Sequence, residues 1–268
     1  MSGTIEWTQA LVLGIVQGLT EFLPISSSGH LVFGQAALGL DKPQLFFDIL
    51  LHIGTLAAVL VFYGKDAWRI LRAWLLSLIG RGDDPVSART AWLIILGTLP
   101  AALVGLRFED FIESVFGSPR VVSFALLVTG ALLFLTKSVA AGNRGEDRMT
   151  WRDALLIGVF QAAAVMPGIS RSGATIACAL FLKIDREHAA RFSFLLSIPA
   201  IGGAFLLKAR HLAEISSSDL LPILLGAATA AGAGVIALAW LLRLVRGGNL
   251  RGFAYYCWAV GIAGAVLF

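Results

Sequence analysis

Six stretches of the chain, near residues 46–63, 91–106, 121–136, 192–207, 220–242 and 253–268, are apolar almost without interruption. The hydrocarbon core of a bilayer is about 30 Å thick and takes roughly 20 helical residues to cross, so each stretch is a candidate span. Composition agrees with this. Hydrophobic residues make up 57% of the 268 residues and charged ones 14%, and the mean hydropathy is +0.82. Those values exclude an ordinary soluble domain. The expectation is an all-α polytopic membrane protein, one integral membrane domain over 1–268 with no room for a separate soluble one. The N-terminus is read as retained, because no Lys or Arg precedes the first apolar run and no small-residue cleavage site follows it. Cys178 and Cys257 both fall in apolar segments, so neither a disulfide framework nor a thiolate metal site is expected. A net charge of +4 would suggest nucleic acid in a soluble protein. Here the basic residues cluster in loops and point to the lipid bilayer, with no nucleic-acid partner.

Two further apolar regions, 8–38 and 152–182, are broken in the middle by "LPISSSG" and "MPGISRSG". Irregular backbone at membrane depth is tolerated only where protein or a wet cavity surrounds it. The arms on either side of each break are short for full spans. Both regions are therefore read as re-entrant helical hairpins, giving six transmembrane helices plus two hairpins. In that arrangement fifteen Lys and Arg gather on one side, and five, including Lys42 and Arg210, on the other. The charge bias puts the first side in the cytoplasm, and the first hairpin and both termini outside.

Internal similarity accounts for two hairpins. At an offset of 144, Gly14, Gln17, Ile25, Ser26, Ser28 and Gly29 fall on Gly158, Gln161, Ile169, Ser170, Ser172 and Gly173; "LGTLPAALVG" at 96–105 echoes "LGAATAAGAG" at 225–234. Repeat 1 covers about 1–140 and repeat 2 about 150–268. An odd number of spans in each half flips the second, an inverted-topology repeat. Such repeats build a site near the midplane from the broken helices of both halves, so the two breaks are expected to meet.

The chemistry at the breaks is that of an anion site. Gln17 and Glu21 share a helix face. Pro24 and Gly29 open the turn, and Ser26, Ser27 or Ser28 caps the half-helix that carries His30. The second break supplies Arg171 between Ser170 and Ser172, with Gly173 behind them and Thr175 one turn on. Helix N-termini with free N–H donors and an arginine fork favour phosphate oxygens. An arginine at bilayer depth also needs a partner, either Glu21 or an anionic substrate. Asp48 and His52, another pair four apart, are read as an interfacial or packing feature.

"QGLTEFLPISSSGH" at 17–30 and "PGISRSGAT" at 167–175 closely resemble the motifs of the bacterial undecaprenyl pyrophosphate phosphatases of the bacitracin-resistance type, over essentially the whole chain. The resemblance implies a multi-pass enzyme of the bacterial inner membrane, its active site opening to the periplasmic side. Such an enzyme hydrolyses undecaprenyl pyrophosphate and other polyprenyl pyrophosphates to the monophosphate and phosphate, recycling the carrier lipid for peptidoglycan synthesis. It also implies help from a divalent cation, Mg²⁺ or Ca²⁺. Glu21, Ser27, His30 and Arg171 become the catalytic candidates; Gln17, Ser26, Ser28, Gly29, Ser170, Ser172, Gly173 and Thr175 become the substrate-binding ones. Many members carry glutamate where this chain has Gln17, which leaves Glu21, with Gln17 near, as the metal candidate. The nucleophile is open between Ser27, His30 and a water, and so is a homodimer. A small-anion transporter or lipid flippase is the alternative from the repeat alone, and an intramembrane serine hydrolase the third.

Overall fold

A computed structural model describes residues 5–40, 43–139, 142–209, 212, 215–247 and 250–268. Lys42 and Arg210, counted above among the outer charges, lie outside them. The described residues form eleven α-helices and no strand. In order they are α1 Trp7–Phe22, α2 Ser27–Ala37, α3 Leu45–Leu78, α4 Pro85–Arg107, α5 Glu109–Phe116, α6 Pro119–Leu135, α7 Trp151–Ala163, α8 Arg171–Phe181, α9 Arg186–Lys208, α10 Ser217–Gly247 and α11 Arg251–Leu267.

Local sequence explains where several of these helices begin. Asp84 caps α4, accepting from the Ser87 amide at 3.0 Å, and Pro85 takes the first helical position, where no N–H is needed. Bonds from the Ser87 side chain and amide hold the Asp84 carboxyl below the usual carboxylate range. Pro119 opens α6 in the same way. Thr150 and Asp153 form a reciprocal capping box on α7.

Polar and apolar groups are sorted opposite to a soluble protein. Val61, Leu103, Leu206, Ile236 and Val266 are each at least 67% exposed, while Gln17, Thr55, Ser123, Thr175, Ser193 and Ser197 are fully buried. An apolar exterior around a polar interior is what a lipid solvent selects. Helices α3, α4, α9 and α10 are long and apolar enough to cross a membrane, and α6 with the bent-back α5 is a possible fifth crossing. The chain is a multi-pass membrane protein.

Two packing pairs organise the bundle: α1 lies along α10, and α7 lies along α4. Both depend on glycine. A Cβ on Gly14 would collide with the Gly226 carbonyl oxygen of α10, and one on Gly158 would collide with the Gly97 carbonyl oxygen of α4. The helices approach backbone to backbone. Helices α6 and α11 form a third pair, and α3 crosses the middle against α4, α9 and α10.

Charged residues gather at the helix ends. Near the start of α9, Arg191 bonds Asp66 of α3 at 2.8 Å and Glu146 at 2.6 Å, while Glu187 meets Arg246 of α10 at 3.1 Å. At its other end Lys208 pairs with Glu109 and Glu113 of α5.

Two elements differ from the sequence reading. Helix α3 does not stop near residue 63 but runs on through Lys65, Asp66, Arg69 and Arg72 to Leu78. Hydropathy marks the part of a helix that suits lipid, whereas hydrogen bonding continues past it. Helix α5 was hidden in a connector because Glu109, Asp110 and Glu113 alternate with Phe111, Ile112, Val115 and Phe116; it bends 99° from α6.

Gly14→Ala and Gly158→Ala should each lower stability by about 1–3 kcal/mol, the usual cost of overpacking. Gly64→Ala is the control, since a Cβ there meets nothing within 4 Å. Thermal unfolding of the detergent-solubilised protein reads the difference.

Candidate active site

The two broken regions abut. Glycine at 29 leaves room for Gly168, since a Cβ on it would sit 3.3 Å from the Gly168 Cα; one on Gly173 would sit 3.2 Å from the Pro24 ring. Ser172 Oγ donates to the Leu23 carbonyl at 3.3 Å, tying the second turn to the first. Gly168 itself has φ +96° and is packed on Val122 and Ala125 of α6, so the second turn requires glycine there.

Serine caps both half-helices. Ser26 Oγ accepts from the Gly29 amide at 3.3 Å, and Ser170 Oγ accepts from the Gly173 amide at 3.0 Å. Ser26 does so with φ +66°, a left-handed conformation that costs a non-glycine residue energy and that surrounding contacts must hold. Its carbonyl supplies two such contacts, accepting from the His30 amide at 3.2 Å and from His30 Nδ1 at 2.8 Å.

Glu21, on the last turn of α1, is the centre of the arrangement. Its Oε1 accepts from Arg171 Nη2 at 2.5 Å, across 150 residues of sequence. Its Oε2 accepts from Ser27 Oγ at 2.5 Å and from Gln17 Nε2 at 3.1 Å. His52 Nε2 of α3 stands 3.4 Å from the same oxygen. Arg171 also donates through Nη1 to the Ser193 carbonyl at 3.3 Å, while Thr175 Oγ1 bonds the Arg171 carbonyl at 2.8 Å and Ser193 Oγ at 2.6 Å. Thr175 thus braces the arginine from behind.

These groups face a cavity of about 250 Å³ with two kinds of wall. Glu21, Ser26, Ser27, Ser28, His52, Ser170 and Arg171 form the polar side, and Ile49, Phe116, Val165, Ile169, Ile201 and Ala204 are among the apolar side. Polar head and apolar tail can therefore be met in one place. Of the candidates from sequence, six line this cavity: Glu21, Ser26, Ser27, Ser28, Ser170 and Arg171. Gln17, Gly29, Ser172, Gly173 and Thr175 stand behind it and hold those six. His30 is turned elsewhere: its Nε2 meets the Tyr256 hydroxyl of α11 at 2.9 Å with the rings stacked, and it contacts neither Ser27 nor Glu21. The imidazole on the wall is that of His52. The sequence reading of Asp48 and His52 is an interfacial or packing feature; Asp48 bonds Gln35 Nε2 at 2.7 Å, and His52 lines the cavity. The signal was the imidazole one turn beyond a buried carboxylate, which does not by itself say what it faces.

The residues on this wall do not by themselves form an all-protein cage for a divalent ion. Glu21 is the one carboxylate on the wall, and both its oxygens are already engaged. Among the described residues no three His, Cys, Asp or Glu side chains come together as a metal cage. Gln17 Oε1 is buried without a hydrogen-bond partner, and one amide oxygen beside a single carboxylate makes a sparse donor set.

The chain has full-length counterparts in sequence. The bacitracin resistance protein BacA family matches residues 10–263. The chain belongs to that family. It is 45% identical to the undecaprenyl-diphosphatase of Methanobrevibacter smithii over 264 residues, 95% of each chain. It is equally identical to that of Desulfatibacillum aliphaticivorans, over 96% of this chain and 97% of the relative. Undecaprenyl-diphosphatase 4 of Bacillus thuringiensis is 42% identical over 96% of both.

Removing one member of a buried ion pair leaves the other uncompensated. Glu21→Ala should therefore cost about 3–5 kcal/mol of stability, against about 1 kcal/mol for Ser27→Ala, which removes one hydrogen bond. Equal losses in thermal unfolding would contradict the pairing.

Proposed function

We propose that this protein is a membrane lipid-diphosphate phosphatase that hydrolyses undecaprenyl pyrophosphate to undecaprenyl phosphate and phosphate, returning the carrier lipid to peptidoglycan synthesis. The observation that carries the reading is the Glu21–Arg171 pair set between two serine-capped helix starts, with Ser27 on the carboxylate and apolar side chains lining the same cavity. The names of the relatives agree with it. Neither the transporter reading nor the serine-hydrolase reading has an observation of its own in favour.

The chemistry follows from the charges. A diphosphate entering the cavity offers Arg171 a more highly charged partner than Glu21, and the amide-rich starts of α2 and α8 add donors for the remaining oxygens. Charge neutralisation of this kind supplies most of the catalysis in phosphoryl transfer. Ser27 Oγ then attacks the terminal phosphorus while its proton passes to Glu21 Oε2. The bond from that phosphorus to the bridging oxygen breaks, and its electron pair stays on the lipid monophosphate. Water attacks the phosphoserine next: its oxygen bonds the phosphorus, the phosphorus–Ser27 Oγ bond breaks, Glu21 returns its proton to Oγ, and both water protons leave with the phosphate as dihydrogen phosphate. The short Ser27–Glu21 bond supports serine as nucleophile over His30, which Tyr256 and the Ser26 carbonyl engage. Mg²⁺ or Ca²⁺ enters this reading as the counter-ion of the diphosphate, part of the substrate and not a resident of the protein.

The membrane arrangement proposed is six spans with two re-entrant hairpins, α1–α2 and α7–α8, in two inverted repeats. Helices of 16 and 11 residues in the first hairpin, and 13 and 11 in the second, reach only about 16–24 Å at 1.5 Å per residue, short of the bilayer core. The exchanged partnership of Gly14 with Gly226 and Gly158 with Gly97 is what two-fold related halves would make. The charge distribution supports the inner membrane and a site open to the periplasmic side.

Purified protein should release phosphate from undecaprenyl or farnesyl diphosphate without any ion gradient. Arg171→Ala should lower kcat/KM by about 10²–10³-fold or more; unchanged turnover would sink the two-turn site. A phospho-enzyme trapped at acid pH should carry its label at Ser27. Finally, Mg²⁺ or Ca²⁺ added without substrate should leave the unfolding temperature unchanged, and a rise of several degrees would establish a resident ion.

A further inference from the structure

Glu21 faces a difficulty that the two turns alone do not solve. In the resting site Arg171 balances its charge, yet the same arginine is the main cation offered to a phosphate group. Once Arg171 turns to substrate, a carboxylate with 5% of its side chain exposed is left without that partner, and an uncompensated buried charge is strongly unfavourable. It would also be free to follow the guanidinium away from Ser27.

His52 stands on the other side of it. The ring projects from α3, outside both motifs, and its Nδ1 bonds the Asp48 carbonyl of its own helix at 2.7 Å. That contact fixes the ring plane and leaves Nε2 toward Glu21 Oε2, 3.4 Å away. Its Nδ1 donates to the carbonyl, and its Nε2 lies at ion-pair distance from the carboxylate. The turn that holds it is itself anchored. Asp48 accepts from Gln35 Nε2 at 2.7 Å, and Gln35 Oε1 accepts from the Gln44 amide at 3.1 Å, so α2 fixes the start of α3. Of the groups around Glu21, Gln17 and Ser27 are neutral donors; Arg171 and His52 are the two that can carry positive charge.

We propose that His52 is a positioning residue for the reaction: it retains Glu21 beside Ser27 while the diphosphate draws Arg171 away. The proposal rests on the lipid-diphosphatase reading for its role in turnover, and on geometry alone for the shared hold on Glu21.

Kinetics with farnesyl diphosphate test the first part. His52→Ala should lower kcat by on the order of 10- to 100-fold, the value of a hydrogen bond to a charged group, with KM changed much less. His52→Gln, which keeps a donor, should recover most of the kcat, whereas His52→Leu, which keeps bulk, should not. Wild-type kcat in His52→Ala, or equal activity in the Gln and Leu variants, would overturn the proposal. A double-mutant cycle in thermal stability, His52→Ala with Arg171→Met, tests the second part without activity. Because Arg171 and His52 both contact the Glu21 carboxylate and each partly covers for the other, the double variant should lose more than the sum of the singles; additive losses would overturn it. If the wild type releases no phosphate but the cycle is non-additive, the functional reading fails and the shared hold on Glu21 stands.

Discussion

The bond between Glu21 and Arg171 is the contact on which the interior depends. Neither side chain is tolerable alone at that depth, and each comes from a different broken helix, 150 residues apart. Everything around them works to bring the two turns together: glycine at 29, 168 and 173 removes side chains from the seam, Ser172 bonds across it, and Thr175 and Ser193 brace the arginine. The same pairing that stabilises the empty protein is the one a diphosphate would replace. Stability and substrate recognition therefore draw on a single guanidinium.

That economy explains the division of labour between the two histidines. His30 is adjacent to the serines in sequence, but its ring closes the left-handed turn at Ser26 and reaches Tyr256; it supports the shape of the cap. His52 is far from the serines in sequence and sits beside the carboxylate in space. Support of the cap and contact with the carboxylate fall to different imidazoles, on different helices.

Much of this was legible in the sequence. The six apolar runs, the two interrupted regions and the charged residues Glu21 and Arg171 follow from hydropathy and from the high cost of charge in lipid, whereas only the resemblance to a family singled out Ser27 among the three serines. Three things were not legible, each for a physical reason. The end of α3 and the whole of α5 carry charges on one side only, and a hydropathy window averages that away. The orientation of His30 is decided by a carbonyl at φ +66° and by a tyrosine 226 positions later. The place of His52 depends on how α3 crosses α1, a packing relation that no local pattern encodes.

The glycine contacts bear on how the chain reaches this state. Gly14 of α1 packs on Gly226 of α10, and Gly158 of α7 packs on Gly97 of α4, so even the closer of these seams joins residues far apart in the chain. During synthesis, α1 enters the membrane long before its partner exists, and Glu21 waits in the same way for Arg171. Until residue 226 is made, the bare surface that Gly14 leaves on α1 has no helix to receive it.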